Sequence, residues 1–236
     1  MEISIIIPTY NEEANILPLL HFLEEEISGK SAEIIVIDGG STDATRTRVM
    51  ETSARFMLSE NKGRAFQMNE AAEVAKGDLL YFVHADTRPP VGFYEHLLNA
   101  VNNRIKAGCF TSIFDWAHPF LRFCNWFSRL PFWFCRGGGQ TLFVNKWLFK
   151  HLEGFDTSMM IMEEYDFIER VKEVERFKVI KENAISSARD YRANGAVRLQ
   201  MIYAYVFFLY SIGASQEKMV KTIKKHVVKP SKSCID

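Results

Sequence analysis

The sequence predicts an α/β fold with a mostly parallel central sheet flanked by helices, followed by a helical C-terminal extension. Two observations support this prediction. Three continuous apolar runs, at residues 3–8, 33–37 and 78–83, are typical of buried strands, and helical patterns alternate with them. Each run also ends in polar residues, and ligands of open α/β sheets bind beyond the carboxyl ends of the strands.

Composition excludes several classes of protein. The chain has 236 residues with 29 basic and 29 acidic side chains, so a nucleic-acid partner is not favoured. Hydrophobic residues make up 47%, which argues against disorder. The four cysteines form no CxxC pair and have no histidine cluster beside them, so we expect no zinc site. An acid at position 2 and the lack of a basic leader predict a cytosolic protein with reduced thiols.

The first half alternates regularly between strands and helices. In chain order the pattern predicts a strand at 3–8, a helix at 12–27, a strand at 33–37, a short helix after the turn at 39–41, a strand at 55–58, a helix at 63–75 and a strand at 78–83. Pro18 suits an early turn of the first helix, Asn15 is its expected cap, and Gly77 is the expected C-cap of the helix at 63–75.

The second half is less regular. It predicts a strand at 140–144, a helix at 162–174 and a helical region from about Gly195 with a break near Gly213. The apolar run at 201–214 is shorter than the roughly 20 residues a membrane-spanning helix needs, so we interpret it as a buried or interfacial helix.

Residues 116–135 are unusually aromatic and hold three of the four tryptophans, interleaved with Arg122 and Arg129. The preferred interpretation is a helix packed on the sheet with its aromatic rings inward. A membrane interface, a sugar-binding platform and a dimer contact stay open, because rings and basic side chains suit each of them.

Polar residues from three strands meet at the predicted carboxyl edge, namely Tyr10, Glu12, Asp38 and Asp86. A nucleotide diphosphate suits this set, since Tyr10 can stack on a base and Glu12 or Asp38 can accept from a ribose hydroxyl. Asp86 can hold a divalent metal between the phosphates. Asp38 before two glycines is equally explained as a turn former, and Asp86 as a turn or helix cap.

At these positions the chain resembles family 2 glycosyltransferases of the inverting, GT-A type, and it is similar to the subgroup called radical-SAM/selenodomain-associated transferase 2. The matching segments, in order over about residues 3–170, are SIIIPTYNEEANI, EIIVIDGGSTDAT, NKGRAFQMNEAA, GDLLYFVHADTRPP, GGGQTLFV and GFDTSMMIMEEYDF. The resemblance implies the GT-A nucleotide-diphospho-sugar transferase fold. It also implies metal-assisted transfer of a sugar from a nucleotide-diphosphate donor to a hydroxyl acceptor, with inversion at the anomeric carbon. We expect the nucleotide to be UDP and the metal to be Mn²⁺ or Mg²⁺.

The resemblance assigns donor-binding roles to five positions. Pro8, Tyr10 and Glu12 match the first-strand loop that receives the nucleotide base. Asp38 matches the acid that binds base or ribose, and Arg64 falls where the family places a basic contact to the nucleotide.

Asp86 matches the last acid of the family's metal-binding Asp-x-Asp motif, which here reads His84-Ala85-Asp86. We therefore expect metal on Asp86 alone among these residues, with water and phosphate oxygens completing its coordination. In the preferred interpretation His84 hydrogen-bonds its neighbours. In the alternative its imidazole ligates manganese more readily than magnesium.

Glu163 and Glu164 match an acidic pair whose second member is the family's general base, so the resemblance carries that role to Glu164. The family usually has Asp there, and Glu is one methylene longer. Both acids are also explained by the dipole at a helix N-terminus.

Five further positions are implied by the resemblance. Gly138 and Gln140 match the loop between the donor and acceptor sides, where glycine permits close approach of a sugar or diphosphate. Arg189, Tyr191 and Arg192 fall where the family has a loop that folds over the diphosphate.

On this basis we expect a transferase domain at 1–190, with a nucleotide-binding half at 1–90 and an acceptor half at 91–190, and a helical extension at 191–236. A nucleotidyltransferase is disfavoured because no glycine-rich basic loop follows the first strand. A catalytically degenerate sugar-nucleotide-binding or membrane-associated scaffold stays open, because positions 84 and 164 depart from the family pattern. A lipid-linked acceptor, a peripheral contact with the inner face of the plasma membrane and a homo-oligomer also stay open.

Overall fold

The computed structural model describes residues 1–127 and 138–228, which form one eight-stranded sheet covered by helices on both faces. The strands are β1 (Ile3–Thr9), β2 (Ala32–Asp38), β3 (Arg55–Leu58), β4 (Leu79–Phe82), β5 (Thr87–Arg88), β6 (Ala107–Phe114), β7 (Leu142–Asn145) and β8 (Phe177–Ser186). The α-helices are α1 (Ile16–Glu26), α2 (Thr45–Val49), α3 (Arg64–Val74), α4 (Phe93–Asn102), α5 (Pro119–Phe127), α6 (Lys146–His151), α7 (Glu163–Val174), α8 (Arg189–Asn194), α9 (Ala196–Ser211) and α10 (Gln216–His226).

The strand order is β3-β2-β1-β4-β7-β6-β8-β5. The four strands of the first half are parallel, as predicted. Strand β7 is antiparallel to both of its neighbours, β4 and β6, while β6 and β8 are again parallel. The predicted fold class is confirmed, with β7 near the centre of the sheet and the short edge strand β5 running antiparallel to their neighbours.

The isoleucine-rich first strand is buried on both faces, which explains its continuous apolar pattern. Ile5 and Ile7 pack with Leu20 of α1 on one face. Ile6 packs with Met68 of α3 on the other. Because successive strand residues point to opposite faces, a strand between two helical layers is mostly apolar on both of them. Ser4 is a buried polar exception, and its hydroxyl donates to Glu33 Oε1 at 2.6 Å.

Of the two predicted helix caps, Asn15 does occupy the N-cap position of α1, whereas Gly77 is not the C-cap of α3. Asn15 makes no side-chain cap bond to α1, and its amide donates instead to Glu12 Oε2 at 2.7 Å. Helix α3 ends at Val74 with Ala75 as its cap, so Gly77 does not terminate it. Gly77 is needed for packing, since a Cβ there would lie 2.6 Å from the backbone nitrogen of Ser4.

The strand predicted at 140–144 begins two residues later, because Gly138–Gln140 forms a 3-10 turn before β7. The helix predicted at 162–174 is confirmed as α7. The break predicted near Gly213 is also confirmed, with a positive φ of 69° between α9 and α10.

The C-terminal helices close around two small apolar clusters. One contains Leu121 of α5, Tyr191 of α8 and Leu199 of α9. The other joins Val206 of α9 to Met219 of α10. Over the described ranges 1–127 and 138–228, we find no helix whose length and apolar character would let it cross a membrane.

The aromatic stretch at 116–135 is described only as far as residue 127, so its second part lies outside the described residues. Within α5, Leu121 is fully buried and Phe120 is partly buried against the first of these clusters. Phe123 and Trp126 are 62% and 54% exposed, so the expectation that the aromatic rings point inward is wrong for these two.

Candidate active site

The loops that follow β1 and β2 are tied together at the carboxyl edge of the sheet. The Asn11 side-chain oxygen accepts from the backbone N–H of Thr42 at 2.8 Å, and the Asn11 N–H donates to Ser41 Oγ at 2.8 Å. Glu12 N–H donates to Thr45 Oγ1 at 2.8 Å. These bonds fix the entrance to the site.

Asp38 is 2% exposed and organises its own turn. Its Oδ2 accepts from the N–H groups of Gly40 and Ser41 at 3.1 and 2.8 Å, and its Oδ1 accepts from the hydroxyls of Thr9 and Ser41. The turn-forming interpretation of Asp38 is therefore confirmed, and its contact with a base or ribose stays a prediction. Pro8 is buried inside β1, one residue before the strand ends, so it lies in the strand and not in the loop expected for it; Tyr10 follows the strand and is partly exposed.

Arg189 bridges two of the predicted donor-site acids. Its Nη1 and Nη2 contact the two oxygens of Glu12 at 2.9 and 2.5 Å, and Nη2 lies 3.7 Å from Asp86 Oδ2. Glu12 and Arg189 are 177 residues apart in the chain. The arrangement places a guanidinium, whose charge does not titrate near neutral pH, between the loops that follow β1 and β4.

His84 and Glu164 form a buried pair, with His84 Nε2 at 3.1 Å from Glu164 Oε1. Burial lowers the pKa of His84, but the Glu164 carboxylate more than offsets this, so the pKa of His84 is raised above its usual value. Burial raises the pKa of Glu164, but His84 and then Arg64 outweigh it, so that pKa is lowered. The preferred interpretation of His84 as a hydrogen-bonding residue is consistent with this contact.

The other acid of the pair, Glu163, is 1% exposed and faces Arg64. Arg64 Nε lies 2.8 Å from Glu163 Oε1. Neither carboxylate oxygen has a well-aligned hydrogen bond within the described residues, so this contact is an ion pair of poor hydrogen-bond geometry. A buried carboxylate without a countercharge is costly. The charge of Glu163 therefore keeps Arg64 close to the start of α7.

Gln140 and Glu164 line one small cavity together with Cys109, Thr141, Leu142 and Ile168. Gly138 and Gly139 begin the 3-10 turn that delivers Gln140. At Gly139 a Cβ would lie 2.4 Å from Ser186 Oγ, so a side chain there would force the Ser186 hydroxyl to move. The predicted loop residue and the predicted base thus meet at the same point.

Arg189, Tyr191 and Arg192, the three positions predicted to fold over the diphosphate, have different surroundings. Only Arg189 reaches the predicted donor residues. Tyr191 is buried among the C-terminal helices and donates to Gln200, and Arg192 pairs with Asp115 at 3.1 Å. The pattern of the sequence did not distinguish them.

Three non-glycine residues with positive φ border the site. They are Asn11 at 54°, Thr141 at 53° and Met162 at 70°, which adjoin Glu12, Gln140 and Glu163. Such backbone is costly for residues other than glycine and clusters at functional sites. Asparagine tolerates it, but sequence reasoning had no signal for Thr141 or Met162.

The described residues contain no group of three or more His, Cys, Asp and Glu side chains arranged to hold a metal ion. Asp86 offers a hard carboxylate, with Oδ1 accepting from Thr87 Oγ1 at 3.3 Å, while Glu12 is engaged by Arg189 and His84 by Glu164. This donor set fits a divalent ion that shares its coordination with a diphosphate, and Asp86 is the residue that would hold it.

The topology and the polar carboxyl edge define the class: this is an α/β protein with a GT-A-like fold and C-terminal helices. Residues 4–120 match the sequence profile of Glycosyl transferase family 2. The chain therefore belongs to that family.

Three known proteins illustrate the similarity. A dolichol-phosphate mannosyltransferase from Pyrococcus furiosus is 30% identical over 108 residues, which is 44% of this chain and 31% of that protein. The match thus spans less than a third of that relative. The S. aureus TarS fragment 1–349 in complex with UDP has a TM-score of 0.65 at 16% identity, covering 96% of this chain and 70% of that one. A mannosyltransferase from Pyrobaculum calidifontis in complex with GDP-Man and Mn²⁺ has a TM-score of 0.63 at 19% identity, covering 97% and 66%.

Proposed function

We propose that this chain is an inverting glycosyltransferase that moves a sugar from a nucleotide diphosphate, UDP in the first instance, to a hydroxyl acceptor. The observation that carries the proposal is that Glu12, Arg189 and Asp86 meet beside the buried pair of His84 and Glu164 at one edge of the sheet.

In this proposal Glu164 is the general base. Its lowered pKa keeps the carboxylate ionised, which is the form that accepts a proton, and His84 fixes its orientation. The acceptor oxygen forms a bond to the anomeric carbon as the bond from that carbon to the diphosphate oxygen breaks. The proton of the acceptor hydroxyl passes to Glu164.

The negative charge of the departing diphosphate must be stabilised by positive charge, and two arginines are placed to supply it. Arg189 is already beside Asp86, and Arg64 begins α3 close to Glu163. A divalent ion held by Asp86 and the diphosphate would neutralise the remaining charge. The roles of Pro8, Tyr10 and Asp38 toward the nucleotide, and of Gly138 and Gln140 toward the sugar, remain part of the proposal.

Several finer assignments belong to the same proposal. The named complexes of similar structures contain UDP in one case and GDP-Man with Mn²⁺ in another, so UDP and Mn²⁺ are the first ligands to test. The name of the dolichol-phosphate relative supports a lipid-linked acceptor. We also propose the domain limits 1–190 and 191–236, placement in the radical-SAM/selenodomain-associated subgroup, and a cytosolic location, where the free thiols of Cys109 and Cys124 stay reduced.

The first experiment is a thermal-shift panel of UDP and GDP with and without Mn²⁺. A ligand at about 100 times its Kd stabilises a protein by about 2.7 kcal/mol. At about 2–4 °C per kcal/mol for a chain of this size, Tm rises by roughly 5–10 °C. We expect this rise with UDP and Mn²⁺ in the wild type and its loss in Asp86→Ala.

The matched control is Asp78→Ala, which removes an exposed aspartate just before the opposite end of β4. It should keep the full shift. A shift that persists in Asp86→Ala would remove the metal assignment. The absence of any nucleotide shift in folded wild-type protein would contradict the transferase proposal and favour the scaffold alternative.

A further inference from the structure

The outward face of α9 is apolar along its whole length. Val197, Met201, Tyr205, Phe208 and Ile212 recur at spacings of four, four, three and four residues, so they lie on one side of the helix. Each is between 50% and 65% exposed. We call these five residues the α9 face. Contiguous exposed apolar surface of this kind marks an interaction site in a folded protein.

The inward side of the same helix is packed, so α9 is held in place by its other contacts. The ring of Phe207 lies 5.6 Å from that of Tyr165, and the ring of Tyr210 lies 6.5 Å from it. Tyr165 directly follows Glu164. Helix α9 therefore has the candidate base on one side and the α9 face on the other.

The helix that packs against α9 is strongly basic. Helix α10 packs against α9 through Met219 and Val220. Its exposed residues include Lys218, Lys221, Lys224 and Lys225. Residues 195–228 hold five Lys or Arg side chains and one acid, although the whole chain has equal numbers of basic and acidic residues. The charge is therefore concentrated on α9 and on the helix that packs against it.

We propose that the α9 face docks on an anionic lipid bilayer, with its apolar side chains in the interface and the lysines of α10 among the headgroups. Aromatic and apolar residues on one face with adjacent lysines are the features that bind helices to anionic membrane surfaces. A second copy of this chain fits the surface less well, because pairing two such faces would bring two basic helices together. The docking itself does not depend on the proposed transferase activity. If both hold, the acceptor site lies at the membrane surface.

The test uses the whole chain in sedimentation with vesicles of phosphatidylcholine, with and without phosphatidylglycerol. We expect binding that requires phosphatidylglycerol and weakens with salt. Reversing two lysines in Lys221→Glu/Lys225→Glu should lower the partition coefficient by at least roughly tenfold, because each lysine near such a surface contributes about that factor or somewhat less. Met201→Gln/Phe208→Gln should lower it by at least roughly tenfold as well, since buried apolar area drives the insertion.

Two matched controls carry the same chemical changes elsewhere. Met50→Gln/Leu58→Gln alters two residues that are 66% and 64% exposed, and Lys178→Glu/Lys181→Glu reverses two exposed lysines of β8. Both should bind as the wild type does. Circular dichroism and melting curves confirm that all variants are folded.

Three results would overturn the proposal. They are no binding to anionic vesicles, equal binding to neutral ones, or binding unchanged in Met201→Gln/Phe208→Gln or in Lys221→Glu/Lys225→Glu. A concentration-dependent dimer that Met201→Gln/Phe208→Gln abolishes, without vesicle binding, would assign the face to a second copy instead. Nucleotide-induced thermal shifts report on the donor site separately, so failure of either proposal can be recognised without the other.

Discussion

Replacing Arg189 by methionine tests the central contact of the candidate site. Breaking a buried ion pair costs about 3–5 kcal/mol, and breaking an exposed one about 0–1 kcal/mol. The Glu12 side chain is 11% exposed and that of Arg189 is 30% exposed, so this pair lies between the two cases. We expect Arg189→Met to destabilise the fold by about 2 kcal/mol, which lowers Tm by about 4–8 °C.

Arg192→Met is the matched control, because Arg192 lies on the same helix and also pairs with an acid. Its pair with Asp115 is 45% and 40% exposed, so the expected loss is below about 1 kcal/mol. Urea unfolding and thermal melts of both variants measure the difference. Equal losses in the two variants would refute the interpretation of Arg189 as a partly buried bridge.

A double-mutant cycle with Glu12→Gln isolates the pair itself. Residues that share a direct contact show coupling energies of about 0.5–3 kcal/mol. A coupling near zero would mean that the loss in Arg189→Met comes from packing or from Asp86. The same variants should bind UDP more weakly, since Arg189 is proposed to face the diphosphate, whereas Arg192→Met should not.

Three other outcomes are expected. Gly77→Ala should cost about 1–3 kcal/mol in urea unfolding, because the added methyl meets the backbone of Ser4. Glu164→Gln should slow donor consumption by about 10²–10⁴-fold without weakening UDP binding in the thermal shift, and retained turnover would exclude it as the base. For Asp43, burial raises the pKa and the bonds from Thr45 outweigh it, so the pKa lies below 3.8. The contribution of Asp43 to the free energy of unfolding is therefore present above pH 3.8, and it is lost as the pH falls through the lower pKa of Asp43 in the folded protein. Asp43→Asn should cost about 1 kcal/mol at pH 7, and this difference from the wild type should vanish at lower pH.

The strands of the first half were predictable because their pattern is local. A continuous apolar run that ends in polar residues can be recognised from a few consecutive positions of the sequence. The carboxyl ends of such strands meet at one edge of any parallel sheet. Glu12, Asp38 and Asp86 were found in this way. The turn at Asp38 was also predictable, since aspartate before glycine forms such turns for chemical reasons that a sequence displays.

The contacts that define the site were not predictable from local pattern. Arg189 meets Glu12 across 177 residues, and nothing near either position indicates the other. Gly77 resembled a helix cap, but glycine is needed there because the backbone of the neighbouring strand β1 passes too close for a side chain. Asn15 occupies the predicted cap position, yet its amide donates to the carboxylate of Glu12 and its side chain makes no bond to the helix backbone. For Arg189 and Gly77 a partner distant in the chain decided the outcome, and for Asn15 a neighbouring carboxylate did.

The reversed direction of β7 has a consequence for protein engineering. The loops of the proposed donor site leave the ends of β1, β2 and β4, whereas the turn at Gly138–Gln140 enters the start of β7. Two independent sets of connections therefore reach one edge from opposite halves of the chain. Grafting a new turn onto β7 would change what approaches the proposed sugar position, while β1, β2 and β4, which lead into the proposed nucleotide site, stay in register. A graft that replaced the glycine at position 139 would also have to accommodate a shift of the Ser186 hydroxyl, which a Cβ there would meet.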